Sequence, residues 1–76
     1  MTAIDGEALR EHIPAVVGVL VRRGADFWSA EDAVQASLIR ALEVWPNDPP
    51  REPRAWLITT AWRKYIDQIR SDTARG

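Results

Sequence analysis

The chain has 76 residues, of which 46% are hydrophobic and 28% are charged, and its formal net charge is −1. This length and composition are those of one small folded domain with a single core, which excludes a globally disordered protein. The sequence contains no cysteine, which excludes a disulfide framework and a thiolate metal site and fits the reducing cytoplasm.

The first predicted helix covers residues 5–23. Gly24 supplies a stop after it, and Pro14 lies inside the helical pattern, so we expect a kink or a fresh helix start near His12. The apolar run 15–21 is too short to cross a membrane. Three-and-four spacing places six apolar residues on the core side of this helix: Leu9, Ile13, Val16, Val17, Leu20 and Val21.

The second predicted helix begins at Ala30, with Ser29 as its N-cap, and continues to about Trp45. An acidic residue in its first turn complements the positive end of the helix dipole. The residues predicted to face the core are Val34, Leu38, Ala41, Leu42 and Trp45.

The outer face of this second helix has a small apolar centre surrounded by acids and an amide. Its residues are Asp32, Gln35, Ala36, Ile39 and Glu43. The pattern suits a basic partner helix, and it also fits an ordinary solvated face with one exposed isoleucine. The sequence pattern alone leaves both interpretations open.

A proline-rich loop with the sequence PNDPPREP follows the second helix, because proline lacks a backbone N–H and disfavours helix in the residue before it. Pro53 suits the first position of a third helix, which should run to about Ser71. Its core face comprises Leu57, Ile58, Ala61, Trp62, Tyr65 and Ile69. These elements predict an all-α fold, a compact three-helix bundle with a kinked or split first helix and a proline-rich loop before the last helix.

The outer face of the third helix is mixed basic, hydroxyl and aromatic in character. Its residues are Thr59, Arg63, Asp67 and Arg70, flanked by Trp56 and Thr60. Formal charge is also uneven along the chain: residues 1–48 have four basic against eight acidic residues, or −4, and residues 49–76 have six against three, or +3. This polarity indicates either two different partners or internal salt bridges between the halves.

Basic side chains in and before the third helix are suited to contact phosphates, and Trp56 or Trp62 offers a ring on which an unstacked base rests. A core position accounts for Trp62 without such a role, whereas Trp56 is either packed under the proline loop or exposed. The sequence has no glycine-rich phosphate loop and no nucleophile beside a base, and a lone His12 does not form a metal cluster. We therefore expect no catalytic activity, no metal and no cofactor.

Two segments, SAEDAVQASLIRALEVWP and PRAWLITTAWRKYIDQIR, resemble the second conserved region of extracytoplasmic-function sigma factors, the promoter-recognition subunits of bacterial RNA polymerase. The resemblance covers residues 7–75. It implies that Asp32 and Gln35 dock on the coiled coil of the polymerase beta-prime clamp. It also implies that the loop 47–52 receives a base flipped out of the nontemplate strand of the minus-ten promoter element, and that the helix from Pro53 faces the melting DNA.

Three residues depart from the family pattern. Ala36 stands where glutamate is common, which removes one polar contact to polymerase; Trp62 replaces a basic residue and Arg63 replaces an asparagine, which alters the base contacts. The family also has a helix-turn-helix domain for the upstream promoter element, which residues 1–76 do not include. We therefore expect these residues to be the clamp-binding, promoter-melting domain of a longer protein; a naturally short protein is the alternative. An anti-sigma factor is a further partner that the resemblance implies.

The leading hypothesis is a cytoplasmic, non-enzymatic transcription initiation module that docks on RNA polymerase and recognises and melts the minus-ten element. The alternative is a helical protein-interaction module that binds a polymerase subunit or a regulator without recognising DNA. The residues predicted to bind polymerase are Asp32, Gln35, Ile39 and Glu43. The residues predicted to bind DNA are Asn47, Asp48, Arg51, Arg54, Trp56, Thr60, Arg63, Lys64 and Arg70.

Overall fold

The computed structural model of the protein describes residues 6–75. It has four helical segments: α1 (Gly6–Glu11), α2 (Ile13–Arg22), α3 (Phe27–Val44) and α4 (Pro53–Arg75). Because α1 and α2 together form the split first helix, the predicted all-α three-helix bundle is confirmed. The predicted start of the first helix at residue 5 lies outside the described residues.

The first helix breaks at His12, as Pro14 predicts. The backbone N–H of His12 donates to the carbonyl of Leu9 at 3.0 Å, and α2 begins at the next residue with Pro14 in its first turn. Proline is tolerated there because the first backbone N–H groups of a helix have no intrahelical partner. The break therefore adds no unsatisfied donor at Pro14.

Gly24 ends α2 through a Schellman motif, which confirms the predicted stop. Its φ of 113° lies in the region that favours glycine. The N–H of Gly24 donates to the carbonyl of Val21 at 3.0 Å, and the N–H of Ala25 donates to that of Leu20 at 3.1 Å. Ala25 is buried, so the chain turns back onto the core before α3 begins.

The N-cap of α3 is Asp26, and the prediction of Ser29 is wrong. The backbone of Asp26 is extended, with ψ at 156°, and its Oδ2 accepts a hydrogen bond from the Ser29 N–H at 3.0 Å. Hydrogen bonds from the Ser29 side chain and then from its backbone lower the pKa of Asp26. Because this carboxylate satisfies one of the free backbone donors of the first turn, α3 begins at Phe27, three residues before the predicted start.

The core is built mainly between α3 and α4, which form the largest helix-to-helix interface. Small residues in both helices let the backbones approach closely. The one buried polar side chain among the described residues, Ser37, donates its hydroxyl to the carbonyl of Val34 at 2.7 Å. The buried apolar residues are Leu9, Val16, Val17, Leu20, Ala25, Ala30, Ala33, Val34, Ala41, Trp45, Leu57 and Ala61.

Three residues predicted to face the core are exposed instead: Val21 (41%), Leu42 (53%) and Ile69 (40%). Leu42 lies about 120° around α3 from the buried centre at Ser37 and Ala41, so it faces sideways. Ile69 lies two turns beyond Ala61, the last fully buried residue of α4. Each of them marks an edge of the core.

The helix α4 continues to Arg75, beyond the end predicted near Ser71. Gln68 Nε2 donates to Asp72 Oδ1 at 3.2 Å, four residues on, which supports the last turns. Residues 54–75 include no glycine or proline that would stop the helix earlier.

Candidate protein-docking and nucleic-acid interface

The outward face of α3 carries a continuous stripe of exposed side chains, which we call the docking stripe: Asp32, Gln35, Ile39, Leu42 and Glu43. Helical winding places these five within an arc of about 100°. Ile39 is 60% exposed, so the apolar centre predicted from the sequence is on the surface. Leu42 joins this centre, although the sequence pattern assigned it to the core.

A surface ion pair lies beside the docking stripe. Arg40 Nη1 donates to Glu43 Oε1 at 3.1 Å, one turn along α3. Both side chains are about 60% exposed, so water screens the pair and its contribution to stability is small. The negative charge at the Glu43 end of the stripe is therefore paired with Arg40. Among the described residues, Asp32 at the other end is in no ion pair.

A groove of about 680 Å³ separates the outward faces of α3 and α4. Two of its lining residues on α3, Ala36 and Ser37, have small side chains. Two of the predicted polymerase-binding residues and four of the predicted DNA-binding residues meet in it. Its lining is Ala36, Ser37, Ile39, Arg40, Glu43 and Val44 from α3, and Trp56, Thr60, Arg63, Lys64 and Asp67 from α4.

A smaller hollow of about 100 Å³ adjoins the groove. Its lining includes Asp32 and Lys64, so one residue predicted for polymerase and one predicted for DNA share it. Ala36 borders both spaces. Lys64 borders both spaces as well.

Trp56 is half-buried and packs against the core beside Trp45 at the end of α3. Its ring meets Trp45 edge to face, with centroids 5.2 Å apart and planes at 73°. The Trp45 indole N–H is buried and has no hydrogen-bond partner among the described residues. The contact with Trp45 holds Trp56 at one end of the groove, where part of its surface stays accessible, so the ring is neither fully packed nor fully exposed.

The other predicted DNA-binding residues are exposed but lie outside the groove lining. Asn47 and Asp48 follow α3, where their backbone N–H groups both donate to the carbonyl of Val44. Arg54 Nε donates to His12 Nδ1 at a long 3.5 Å, which brings the start of α4 next to the break between α1 and α2. Arg51 in the loop and Arg70 far along α4 are exposed.

Trp62 belongs to the packing between α2 and α4. The guanidinium of Arg23 lies 5.3 Å from its ring centroid, and the Tyr65 ring lies 5.2 Å away on its own helix. Trp62 and Tyr65 are both half-buried against the core. These contacts occupy Trp62 within the protein and leave Trp56 as the tryptophan of the groove.

Sequence reasoning missed one aromatic residue on the outward face of α3. Trp28 precedes Ala30, the predicted start of that helix, so the predicted outer face does not include it. Recognising Asp26 as the N-cap would have placed Trp28 one turn before Asp32 on the same face.

The described residues contain no helix long and apolar enough to span a bilayer. Within the same residues, no group of three potential metal ligands comes together.

A family model described as Sigma-70 region 2 matches residues 8–75. An uncharacterized protein of Rhizobium meliloti (strain 1021) is 43% identical over 58 residues, which cover 75% of this chain and 14% of that protein. The ECF RNA polymerase sigma factor SigJ of Mycobacterium tuberculosis (strain H37Rv) is 38% identical over 77 positions, which cover 99% of this chain and 22% of SigJ. The chain thus spans less than a quarter of each relative. No solved structure matches it significantly.

Proposed function

Because this chain belongs to the sigma-70 region 2 family and is a region 2 domain of the extracytoplasmic-function sigma factors, we propose that it docks on RNA polymerase and recognises and melts the minus-ten promoter element. Its role is in transcription initiation, and the family is non-catalytic. The observation that supports the finer proposal is the groove, in which Ile39 and the Arg40–Glu43 pair of α3 lie opposite a face of α4 that carries two cations and one acid, Arg63, Lys64 and Asp67.

The docking stripe of α3 is the polymerase-binding surface. Ile39 and Leu42 provide exposed apolar area, and Asp32, Gln35 and Glu43 surround it with acceptors and negative charge. A partner that complements this stripe presents apolar side chains between basic ones. The beta-prime clamp coiled coil is the proposed partner.

The groove face of α4 is the surface for the nontemplate strand. Arg63 and Lys64 are exposed cations suited to phosphate, Thr60 supplies a hydroxyl, and Trp56 offers the accessible part of its ring to a base. Stacking of a base on an aromatic ring is worth roughly 1 to 3 kcal/mol. Because extruding a base costs about a few kcal/mol, this surface captures an opened strand and binds duplex weakly.

The remaining predicted DNA contacts extend this surface at both ends. Asn47, Asp48, Arg51 and Arg54 lie in the loop and at the start of α4, and Arg70 lies towards its other end. Loop residues receive the flipped base, and the arginines position the strand by their charge. The two binding surfaces are adjacent, so polymerase bound to α3 holds the strand next to α4.

Fluorescence anisotropy tests the proposal with two labelled probes, a beta-prime clamp coiled-coil fragment and a single-stranded minus-ten oligonucleotide. Replacing Asp32 and Gln35 together by alanine should weaken clamp binding at least tenfold, without weakening strand binding and without changing the helical circular dichroism. The matched control is Glu11→Ala, which removes an exposed acid from α1.

A scrambled oligonucleotide should bind more weakly than the minus-ten sequence. If the clamp fragment binds but neither oligonucleotide does, at any salt concentration, the protein is the interaction module of the alternative hypothesis. If the clamp fragment does not bind the folded protein, the docking assignment is wrong.

A further inference from the structure

The outward face of α3 continues past the docking stripe to Trp28, whose side chain is 72% exposed. We propose that Trp28 is an additional anchor residue of this face, inserting into an apolar pocket between basic side chains of the polymerase partner. The inference rests on the proposed function and adds to it a contact one turn beyond the predicted polymerase-binding residues.

Helical geometry aligns Trp28 with the docking stripe. It precedes Asp32 by four residues, Gln35 by seven and Ile39 by eleven, so all four lie within an arc of about 60°. At about 1.5 Å per residue, Trp28 and Ile39 are about 17 Å apart along the axis. The face thus has an apolar anchor at each end and polar groups between them.

The Trp28 ring is supported before any partner binds. Phe27, itself half-exposed, meets it edge to face with centroids 5.3 Å apart and planes at 79°. The Asp26 cap holds both residues in the first turn of α3. A tryptophan that is already ordered loses little conformational entropy on binding, and tryptophan is enriched among the residues that dominate interface energies.

Charge favours a basic protein over nucleic acid as the occupant. The ionisable residues on the first turns of α3 and at its cap are Asp26, Glu31 and Asp32, all acidic. These three carboxylates disfavour phosphates even with Lys64 of α4 in the same hollow as Asp32, whereas lysine or arginine side chains around an apolar pocket would be attracted. The partner that covers Trp28 therefore has the chemistry proposed for the partner of the docking stripe.

The test uses the full chain and the beta-prime clamp coiled-coil fragment in anisotropy titrations at fixed salt. Trp28→Ala and Trp28→Gln should each weaken clamp binding at least tenfold, and Trp28→Phe should weaken it less. Strand binding should stay unchanged. The matched control is Ile69→Ala, an exposed apolar residue on α4, which should bind the clamp as the wild type does.

The outcomes separate this inference from the proposed function. If the Trp28 variants bind the clamp normally while the Asp32 and Gln35 double variant does not, Trp28 is no anchor and the docking assignment stands. If the wild type does not bind the clamp, both are overturned. Sedimentation velocity is run in parallel: a wild-type dimer that Trp28→Gln converts to monomer would assign the ring to a second copy of the chain and overturn the proposal.

Discussion

The helices α3 and α4 bury similar faces but expose different ones. Towards the core, both pack alanine and branched apolar side chains against each other. Towards solvent, α3 exposes Trp28, Ile39 and Leu42 to more than half of their area, whereas the exposed surface of α4 around the groove is mainly charged, with Arg63 and Lys64.

This difference would let one small bundle serve the two kinds of partner proposed for it. Covering exposed apolar area with another protein stabilises the complex, whereas a charged phosphate backbone covers apolar area poorly. Exposed cations favour binding to a polyanion, because the binding releases counterions from the polyanion. The groove brings the two chemistries together, so the contrast between the faces depends on the packing that holds α3 against α4.

The largest expected effect comes from breaking that packing. Leu57 is fully buried, so Leu57→Ala should lower the free energy of unfolding by about 2 to 5 kcal/mol. A domain of this size has a total stability at the low end of roughly 5 to 15 kcal/mol. Urea denaturation followed by circular dichroism measures the change, and clamp and strand binding should be lost together.

Leu42→Ala is the matched control, because it deletes the same atoms from an exposed site on α3. It should change stability by no more than about 0.5 kcal/mol and should affect clamp binding alone. Equal destabilisation by the two leucine variants would mean that Leu42 is a core residue and that the exposed face of α3 is narrower than described.

The sequence predicted the elements whose signals are local. Pro14 and Gly24 act on the backbone within one turn, so the break at His12 and the end of α2 were both predicted correctly. The start of α3 was wrong because Asp26 and Ser29 are both good caps, and the tertiary turn through buried Ala25 determines which one is used.

The edges of the core and the groove required the packed structure. Periodicity gives the direction of the buried face of a helix, but its width depends on how much the neighbouring helix covers, which is why Leu42 was misassigned. The groove forms only because residues 36–44 lie opposite residues 56–67. The polar residues that the sequence named for the site, such as Glu43 and Arg63, do line the groove, but their proximity across two helices was not predicted.

A smaller effect should appear when one cation is removed from α4. Arg63→Gln should weaken binding of the single-stranded minus-ten oligonucleotide several-fold and reduce its salt dependence, the slope of log K against log salt, by about 0.7. Clamp binding should stay unchanged, which would show that the cations of α4 act on the strand and not on the clamp. The measurement is anisotropy at four or more salt concentrations.

Arg22→Gln is the matched control for this variant, because Arg22 is an exposed arginine at the end of α2, outside the groove lining. It should leave the salt slope as it is in the wild type. An unaltered slope for Arg63→Gln would remove this residue from the strand-binding surface and leave Lys64 as the cation to test next.

The smallest effect on stability, and the sharpest test of the contrast, is expected from Glu43→Gln. Its partner Arg40 is exposed, so loss of the ion pair should cost about 0.5 kcal/mol or less. Glu43 lies in the groove with Arg63 and Lys64. Removing its charge should therefore strengthen strand binding slightly, because the phosphates are repelled less. The same change should weaken clamp binding at low salt, because one attraction to a basic partner is lost.

Anisotropy with both probes measures the two changes, and Glu11→Gln on α1 should produce neither. Affinities that shift in the same direction would mean that the two faces do not discriminate their partners by charge.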